Sequence, residues 1–232
     1  MSVEPAGPVV FLVNPAAANG STGRRWPDLR KEARAAGLEG EARLSQRPGH
    51  IVELAAAAAL DGAGTLVVVG GDGTVNEAVN GLMLSGRAAE TALAVIPRGT
   101  GRDFARSLRI PRRTGAALRT ALAGDLRAAD VGRARYTAPD GSHAETYFAN
   151  FAGAGISGAI ARRADASSKA MGGRMSFLVA TVTVFSRWQA VAMTATVGEE
   201  RRSGPMFEVL AMNGDYTAGG MWAAPHARPD DG

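Results

Sequence analysis

The run Thr65 to Val69, Thr-Leu-Val-Val-Val, enters Gly70-Gly71-Asp72-Gly73-Thr74 with no spacer, and Val75, Val79, Leu82 and Met83 then recur at helical spacing. An apolar strand that turns through glycines straight into a helix leaves few folds open. The helix excludes a hairpin return, so the next strand is reached by a crossover and pairs in parallel. The pattern repeats at Leu93 to Ile96, which ends in Pro97 and Gly99-Thr100-Gly101. Upstream, Val9 to Val13 stops at Asn14-Pro15, and a Gly/Ser/Ala loop leads into a helical pattern from about Trp26 to Ala36. Ala42 to Leu44 reads as a short strand, Pro48-Gly49 breaks it, and Ile51 to Leu60 is an alanine-rich helix. Short helices follow over Asp103 to Leu108 and Thr114 to Ala123, with Pro111 between them. Strands this apolar, alternating with helices, predict an α/β fold: a mostly parallel sheet covered by helices on both faces.

The character changes near Asp130. Val131 to Tyr136 and Glu145 to Phe151 flank a Pro139-Asp140-Gly141 turn, which is a hairpin signal. Ser176 to Trp188 reads as a helix, and Ala190 to Val197 and Phe207 to Met212 as strands on either side of a polar turn, Gly198 to Gly204. An α/β domain over residues 1–132 and a mostly antiparallel β domain over residues 133–232 are therefore expected.

Composition narrows the chemistry. The chain has no cysteine and three scattered histidines, which removes disulfides and thiolate sites and leaves no case for zinc. Lys+Arg exceed Asp+Glu by 26 to 22, and Lys31 and Lys169 are the only lysines, so the basic character rests on arginine. That balance permits anionic partners without selecting one, and no nucleic-acid partner is expected. The longest unbroken apolar run, Leu54 to Leu60, is far below the roughly 20 residues of a spanning helix. The opening residues, MSVEPAGPVVFLVNP, lack the basic start of a secretory signal. A cytoplasmic protein that visits the inner membrane surface is expected.

In an open parallel sheet the ligand crevice lies beyond the carboxyl ends of the strands, where both glycine loops fall. Glycines let backbone N–H groups approach phosphate oxygens, the following helix presents its N-terminus, and Thr74 adds a hydroxyl. Asp72, expected in a solvent-facing loop, supplies a carboxylate where Mg²⁺ or an attacking hydroxyl needs one, and Asp72→Asn is expected to spare folding. The competing reading is a tight strand-to-helix turn with Asp72 as N-cap. No Gly-x-x-x-x-Gly-Lys-Ser/Thr is present. Gly153-Ala-Gly155-Ile-Ser-Gly158 matches the dinucleotide pattern, but no acidic residue lies between Asp165 and Glu199 to hold a ribose, so it reads as a loop.

Taken together, Asn14-Pro15, Arg47-Pro48-Gly49-His50, GGDGTVNEAVNGL from Gly70 to Leu82, and PRGTGRDFA from Pro97 to Ala105 resemble the diacylglycerol kinase and sphingosine kinase type of lipid kinase. Later pieces agree: Phe148-Ala-Asn150 with Gly153 and Gly155, Met212-Asn213, Gly219-Gly220-Met221, Pro225 and Asp230-Asp231-Gly232. The resemblance implies a nucleotide-binding α/β domain, a β-sandwich domain, and transfer of the γ-phosphoryl of ATP, with Mg²⁺, to a lipid hydroxyl, foremost that of diacylglycerol. It implies that Asn14, Ser45, Gly70, Gly71, Asp72, Gly73, Thr74, Asn76, Glu77, Gly99 and Thr100 hold ATP, and that Asp72 is the essential acid. The lipid is met at a membrane surface, and a homodimer is compatible with the family.

Two departures stand out. Arg102 occupies a position where the family usually has Asn. Asp230-Asp231-Gly232 resembles the start of a longer segment that carries part of a structural Mg²⁺ site, with Asp230 as a ligand, and leads to the family's general base. The chain is thus expected to be a truncated or incomplete kinase, with its β-sandwich incomplete. The alternatives are a NAD kinase-like or other small-molecule kinase, and a catalytically incomplete nucleotide- or membrane-binding remnant. Arg106, Arg109, Arg112, Arg113 and Arg119 form a basic cluster suited either to anionic head groups or to plain solvation.

Overall fold

The computed structural model describes residues 7–123, 126–167 and 173–232. The first half alternates strand and helix and ends in two helices: β1 (Val9–Val13), α1 (Ser21–Ala35), β2 (Glu41–Leu44), α2 (His50–Leu60), β3 (Thr65–Gly70), α3 (Asp72–Ser85), β4 (Ala92–Pro97), α4 (Asp103–Ser107) and α5 (Thr114–Ala123). The strands form one sheet in the order β2-β1-β3-β4, and every pairing is parallel. Helix α1 starts five residues before the expected Trp26, at Ser21, and carries Pro27 inside it. Carbonyls of the preceding loop hold this first turn, Thr22 N–H donating to Ala17 O and Gly23 N–H to Pro15 O. Such support is invisible to side-chain periodicity.

Successive strand residues point to opposite faces, and both faces are buried. On one face Val10, Leu12, Leu66, Val68 and Val95 pack with Ile51, Ala55, Ala58 and Ala59 of α2 and Val75, Ala78, Val79 and Leu82 of α3. On the other, Phe11, Val13, Val67, Val69 and Ile96 meet Trp26, Leu29 and Ala33 of α1 and Ala117 and Leu118 of α5. The Phe11 and Trp26 rings lie 5.5 Å apart, tilted by 57°. Full burial of each such Val or Leu contributes about 1.5–3 kcal/mol. The alanines of α2 let α3 come close: a Cβ on Gly81 would sit 2.7 Å from the Ala55 methyl.

After α5 come the hairpin β5 (Gly132–Thr137) and β6 (His143–Phe148), antiparallel as expected, then β7 (Phe151–Gly155), α6 (Ile156–Ser167), α7 (Gly173–Phe185), the antiparallel hairpin β8 (Val191–Val197) and β9 (Glu200–Met206), β10 (Glu208–Met212), and the small hairpin β11 (Tyr216–Thr217) and β12 (Met221–Trp222). Strand β10 pairs with β7. Two expectations are corrected. The Gly198 to Gly204 segment is largely strand β9 rather than a turn, and the Gly153 to Gly158 stretch is no loop: Gly153 and Gly155 lie in strand β7 and Gly158 in helix α6.

By compactness the chain forms one unit from residues 1–150 with 212–232, and another from residues 151–211. Hairpin β5–β6 and the last residues thus belong with the α/β layer. Asn80 of α3 accepts the Tyr147 N–H at 2.9 Å and donates to the Tyr147 carbonyl at 2.8 Å. Asn213 donates to the carbonyls of Asp130 at 2.6 Å and Ala149 at 2.9 Å.

Candidate functional site at the strand ends

Strand order 2-1-3-4 reverses direction between β1 and β3, and the carboxyl ends of these two strands flank the switch point. Asn14 follows β1, Ser45 follows β2, Gly71-Asp72-Gly73-Thr74 follow β3, and Gly99-Thr100 follow β4, so the candidate residues share one edge of one sheet. Each strand end is tied to its neighbour. Ser45 N–H donates to Val13 O at 2.9 Å, Asn14 N–H to Val69 O at 3.1 Å, and Arg98 N–H to Gly70 O at 2.7 Å. Across the switch point itself, Asn14 Nδ2 donates to Thr74 Oγ1 at 3.0 Å.

The glycines serve different ends. A Cβ on Gly70 would lie 2.5 Å from the Thr74 side chain, so Gly70 lets that threonine fold back over the strand. Gly71 and Gly99 touch backbone to backbone: a Cβ on Gly99 would sit 2.5 Å from the Gly71 Cα, and one on Gly71 would sit 3.1 Å from the Gly99 Cα. Gly73 faces open space, with nothing within 4 Å of where a Cβ would stand. The first hydrogen bond of α3 is Val75 N–H to Gly71 O, which leaves the N–H groups of Asp72, Gly73 and Thr74 ahead of the helical ladder. This set of donors suits an anion.

Asp72 is half-buried in the first turn of α3, not in a solvent-facing loop, and gives α3 no side-chain cap. Its carboxylate reaches the other loop instead, accepting Arg102 N–H at 2.7 Å on Oδ2 and Phe104 N–H at 3.1 Å on Oδ1. It therefore caps α4 from a distance and staples the loops. Arg102, at φ 57°, is left-handed, a conformation Asn tolerates better than Arg. Asp103 beside it is 6% exposed and accepts Gly219 N–H at 2.7 Å and Arg106 Nη1 at 3.2 Å. Burial pushes its carboxyl above the usual range, the N–H of Gly219 opposes this, the charge of Asp72 adds to it, and Arg106 and the Gly220 N–H oppose it.

Other candidates face elsewhere. Asn76 Oδ1 accepts Ala149 N–H at 3.2 Å, and Glu77 Oε2 accepts Ile51 N–H at 3.3 Å in the first turn of α2. Asp230 accepts Arg228 Nε at 3.4 Å, and among the described residues no group of three His, Asp or Glu side chains is gathered to hold a metal. Arg106 of the basic cluster is committed, paired with Asp103 and lying 5.0 Å from the Tyr216 ring centre. The Gly153-Ala-Gly155 pattern has a packing cause: a Cβ on Gly155 would sit 2.5 Å from Phe207 O. No residue pattern near Asp103 signals its contact with Gly219; the local signal is Gly219-Gly220, a pair that marks an unusual turn.

The chain joins a parallel sheet, with interlocked glycine loops at its switch point, to a run of antiparallel hairpins. It belongs to the diacylglycerol kinase catalytic domain family, whose model matches residues 8–134, and residues 150–232 match the YegS C-terminal NAD kinase beta sandwich-like domain. A "probable lipid kinase YegS-like" of Chromohalobacter salexigens is 31% identical over 209 residues, covering 89% of this chain and 64% of that protein. A "diacylglycerol kinase" of Staphylococcus saprophyticus is 25% identical over 222 residues, covering 96% of this chain and 69% of that one. A relative from Staphylococcus carnosus is 32% identical over 165 residues, 71% of this chain, and the match spans 50% of its length. The crystal structure of a diacylglycerol kinase from Bacillus anthracis superposes with a TM-score of 0.69 at 25% identity, over 97% of this chain and 70% of that one. Among the described residues no helix is long and apolar enough to cross a membrane.

Proposed function

We propose that this chain carries out, or forms the nucleotide-binding core for, transfer of the γ-phosphoryl of ATP to a lipid hydroxyl, with diacylglycerol as the first candidate acceptor. The observation that carries the reading is the open space before Gly73, bordered by the free donors of α3 and framed by the Asn14 to Thr74 bridge. Asn14, Ser45, Gly70 to Thr74, Gly99 and Thr100 would hold ATP, with Asn76 and Glu77 fixing α3 from behind. Phosphoryl transfer asks mainly for positioned donors and charge neutralisation around in-line oxygens. Mg²⁺, when bound, would supply positive charge to the phosphate oxygens, and Asp72 is the acid that would hold it at these strand ends. Each Asp72 oxygen accepts one backbone N–H and keeps further acceptor capacity. The division into an α/β domain over 1–132 and a β-rich domain over 133–232 is proposed as the functional one, the first for nucleotide and the second for lipid, at the inner membrane surface.

The test incubates the protein with γ-labelled ATP, Mg²⁺, and both diacylglycerol in mixed micelles and NAD, followed by organic extraction. Label in the organic phase, lost in Asp72→Asn, is the expected result. Label transferred to NAD in the aqueous phase would replace this reading with a small-molecule kinase. ATP binding with no transfer to any acceptor would leave a non-catalytic nucleotide binder.

A further inference from the structure

We propose that Arg98 and Arg25 form a binding subsite for a phosphoryl group on the α1 side of the strand ends, separate from the backbone donors of α3. Arg98 is the first residue after β4, and its N–H bond to Gly70 O at 2.7 Å fixes it beside the Gly71 to Gly99 contact. In β4, Ala94 and Ile96 lie on the face covered by α1 and α5, and Arg98 continues that alternation. Arg25 comes from α1 immediately before Trp26, which is 7% exposed and locked in the same cluster.

The chemistry of the pair is unbalanced. Arg98 Nε is buried with no hydrogen-bond partner, and among the described residues no carboxylate pairs with Arg98 or Arg25. Two other arginines of the same unit are neutralised, Arg43 by Glu41 and Asp61 at 2.9 Å each and Arg106 by Asp103. Burial, and after it the charge of Arg25, holds the Arg98 guanidinium below the usual arginine range. A buried N–H left without an acceptor is costly, and a like charge adds to that cost; one oxyanion relieves both. Arginine's planar fork suits a phosphate oxygen pair. The N–H groups of Thr22, Gly23 and Arg24 in α1 are taken by loop and turn carbonyls, so the side chains rather than this helix end would hold the anion.

The shared chemistry is a phosphoryl oxyanion, from either the polyphosphate end of a nucleotide or the monoester of a phosphorylated lipid. Only the choice of natural ligand rests on the kinase reading. Calorimetry on the whole chain with inorganic tripolyphosphate, ATP, AMP and short-chain phosphatidate, for wild type, Arg98→Gln and the exposed Arg25→Gln, tests it. Tripolyphosphate affinity should fall about tenfold in either variant, as expected for loss of one charged hydrogen bond. A matching loss for ATP but not AMP assigns the subsite to nucleotide phosphates, and a loss confined to phosphatidate and tripolyphosphate assigns it to the lipid product. Arginine-dependent tripolyphosphate binding without any ATP binding would sink the nucleotide reading while leaving the subsite standing. Unchanged affinity for tripolyphosphate and phosphatidate in both variants overturns the proposal. If Arg98→Gln does not fold, Arg25→Gln decides.

Discussion

Strand β3 and the β8–β9 hairpin are both β structure of similar length, yet they are held by different means. Leu66, Val67, Val68 and Val69 are 0% exposed, covered by helices on both faces. In the hairpin Val191 is 46% and Val197 80% exposed, and the pairing rests on the ladder from Val191↔Met206 to Val197↔Glu200 and on the hydroxyl contact between Thr194 and Ser203 at 2.8 Å. A parallel strand exists because layers close over it. A hairpin of this kind exists because its own backbone closes on itself, and its side chains record little of that.

The largest expected effect is in local opening. Amide exchange at Val67 to Val69 should be at least about a thousandfold slower than in β8–β9, because the core opens only near global unfolding and exposed hairpins open alone. Equal protection by native-state exchange would break the contrast. Next, Leu66→Ala should cost about 2–5 kcal/mol in denaturant unfolding, whereas Val197→Ala should stay within about 0.5 kcal/mol.

Within the site, two substitutions should act in opposite directions. Asp72→Asn keeps one acceptor for the second loop and loses the charged one, so it should lower stability by about 1–2 kcal/mol in thermal melts as well as phosphoryl transfer. Arg102→Asn relieves a left-handed arginine and should raise stability by about 0.5–1 kcal/mol. Matching melts for wild type and both variants would show that the staple between the loops carries no strain and no load.

The smallest effect is a pH slope. The folded protein holds the Asp103 proton more tightly than the unfolded chain, because burial first and Asp72 after it push the carboxyl upward. This group therefore binds more protons folded than unfolded between the ordinary value of 3.8 and its raised one. Its contribution to stability falls as pH rises through that window and is regained on acidification. Subtracting the Asp103→Asn profile from that of wild type should reveal this slope, and a difference independent of pH, or of opposite sign, would contradict it.

The same contrast explains what the sequence could reveal. Strand β3 and helices α3 and α5 were legible because burial on fixed faces writes a period into the residues. Strand β9, Glu-Arg-Arg-Ser-Gly-Pro-Met, has no such face, so its charges and glycine read as a turn. Helix α6 was hidden behind glycines, of which Gly155 is required by the close approach of the Phe207 carbonyl. The candidate residues were legible as types at strand ends. Their partners were not: nothing local says that Asp72 caps α4, or that Glu77 binds the first turn of α2. Those bonds span 32 and 26 positions of chain.

The chain leaves the first compact unit after Asn150 and re-enters it at Met212, and the two crossing points are stitched together, Asn213 N–H donating to Asn150 O at 2.8 Å and Gly214 N–H to the same oxygen at 2.9 Å. Residues 151–211 are thus a detour with a closed mouth. Such a detour can be cut out and its ends rejoined by a short graft without stretching the remaining backbone, and longer or shorter detours can be exchanged at the same doorway. Exchange at that doorway leaves the strand ends at Asn14, Gly70 and Gly99, which lie in the other unit, as they are.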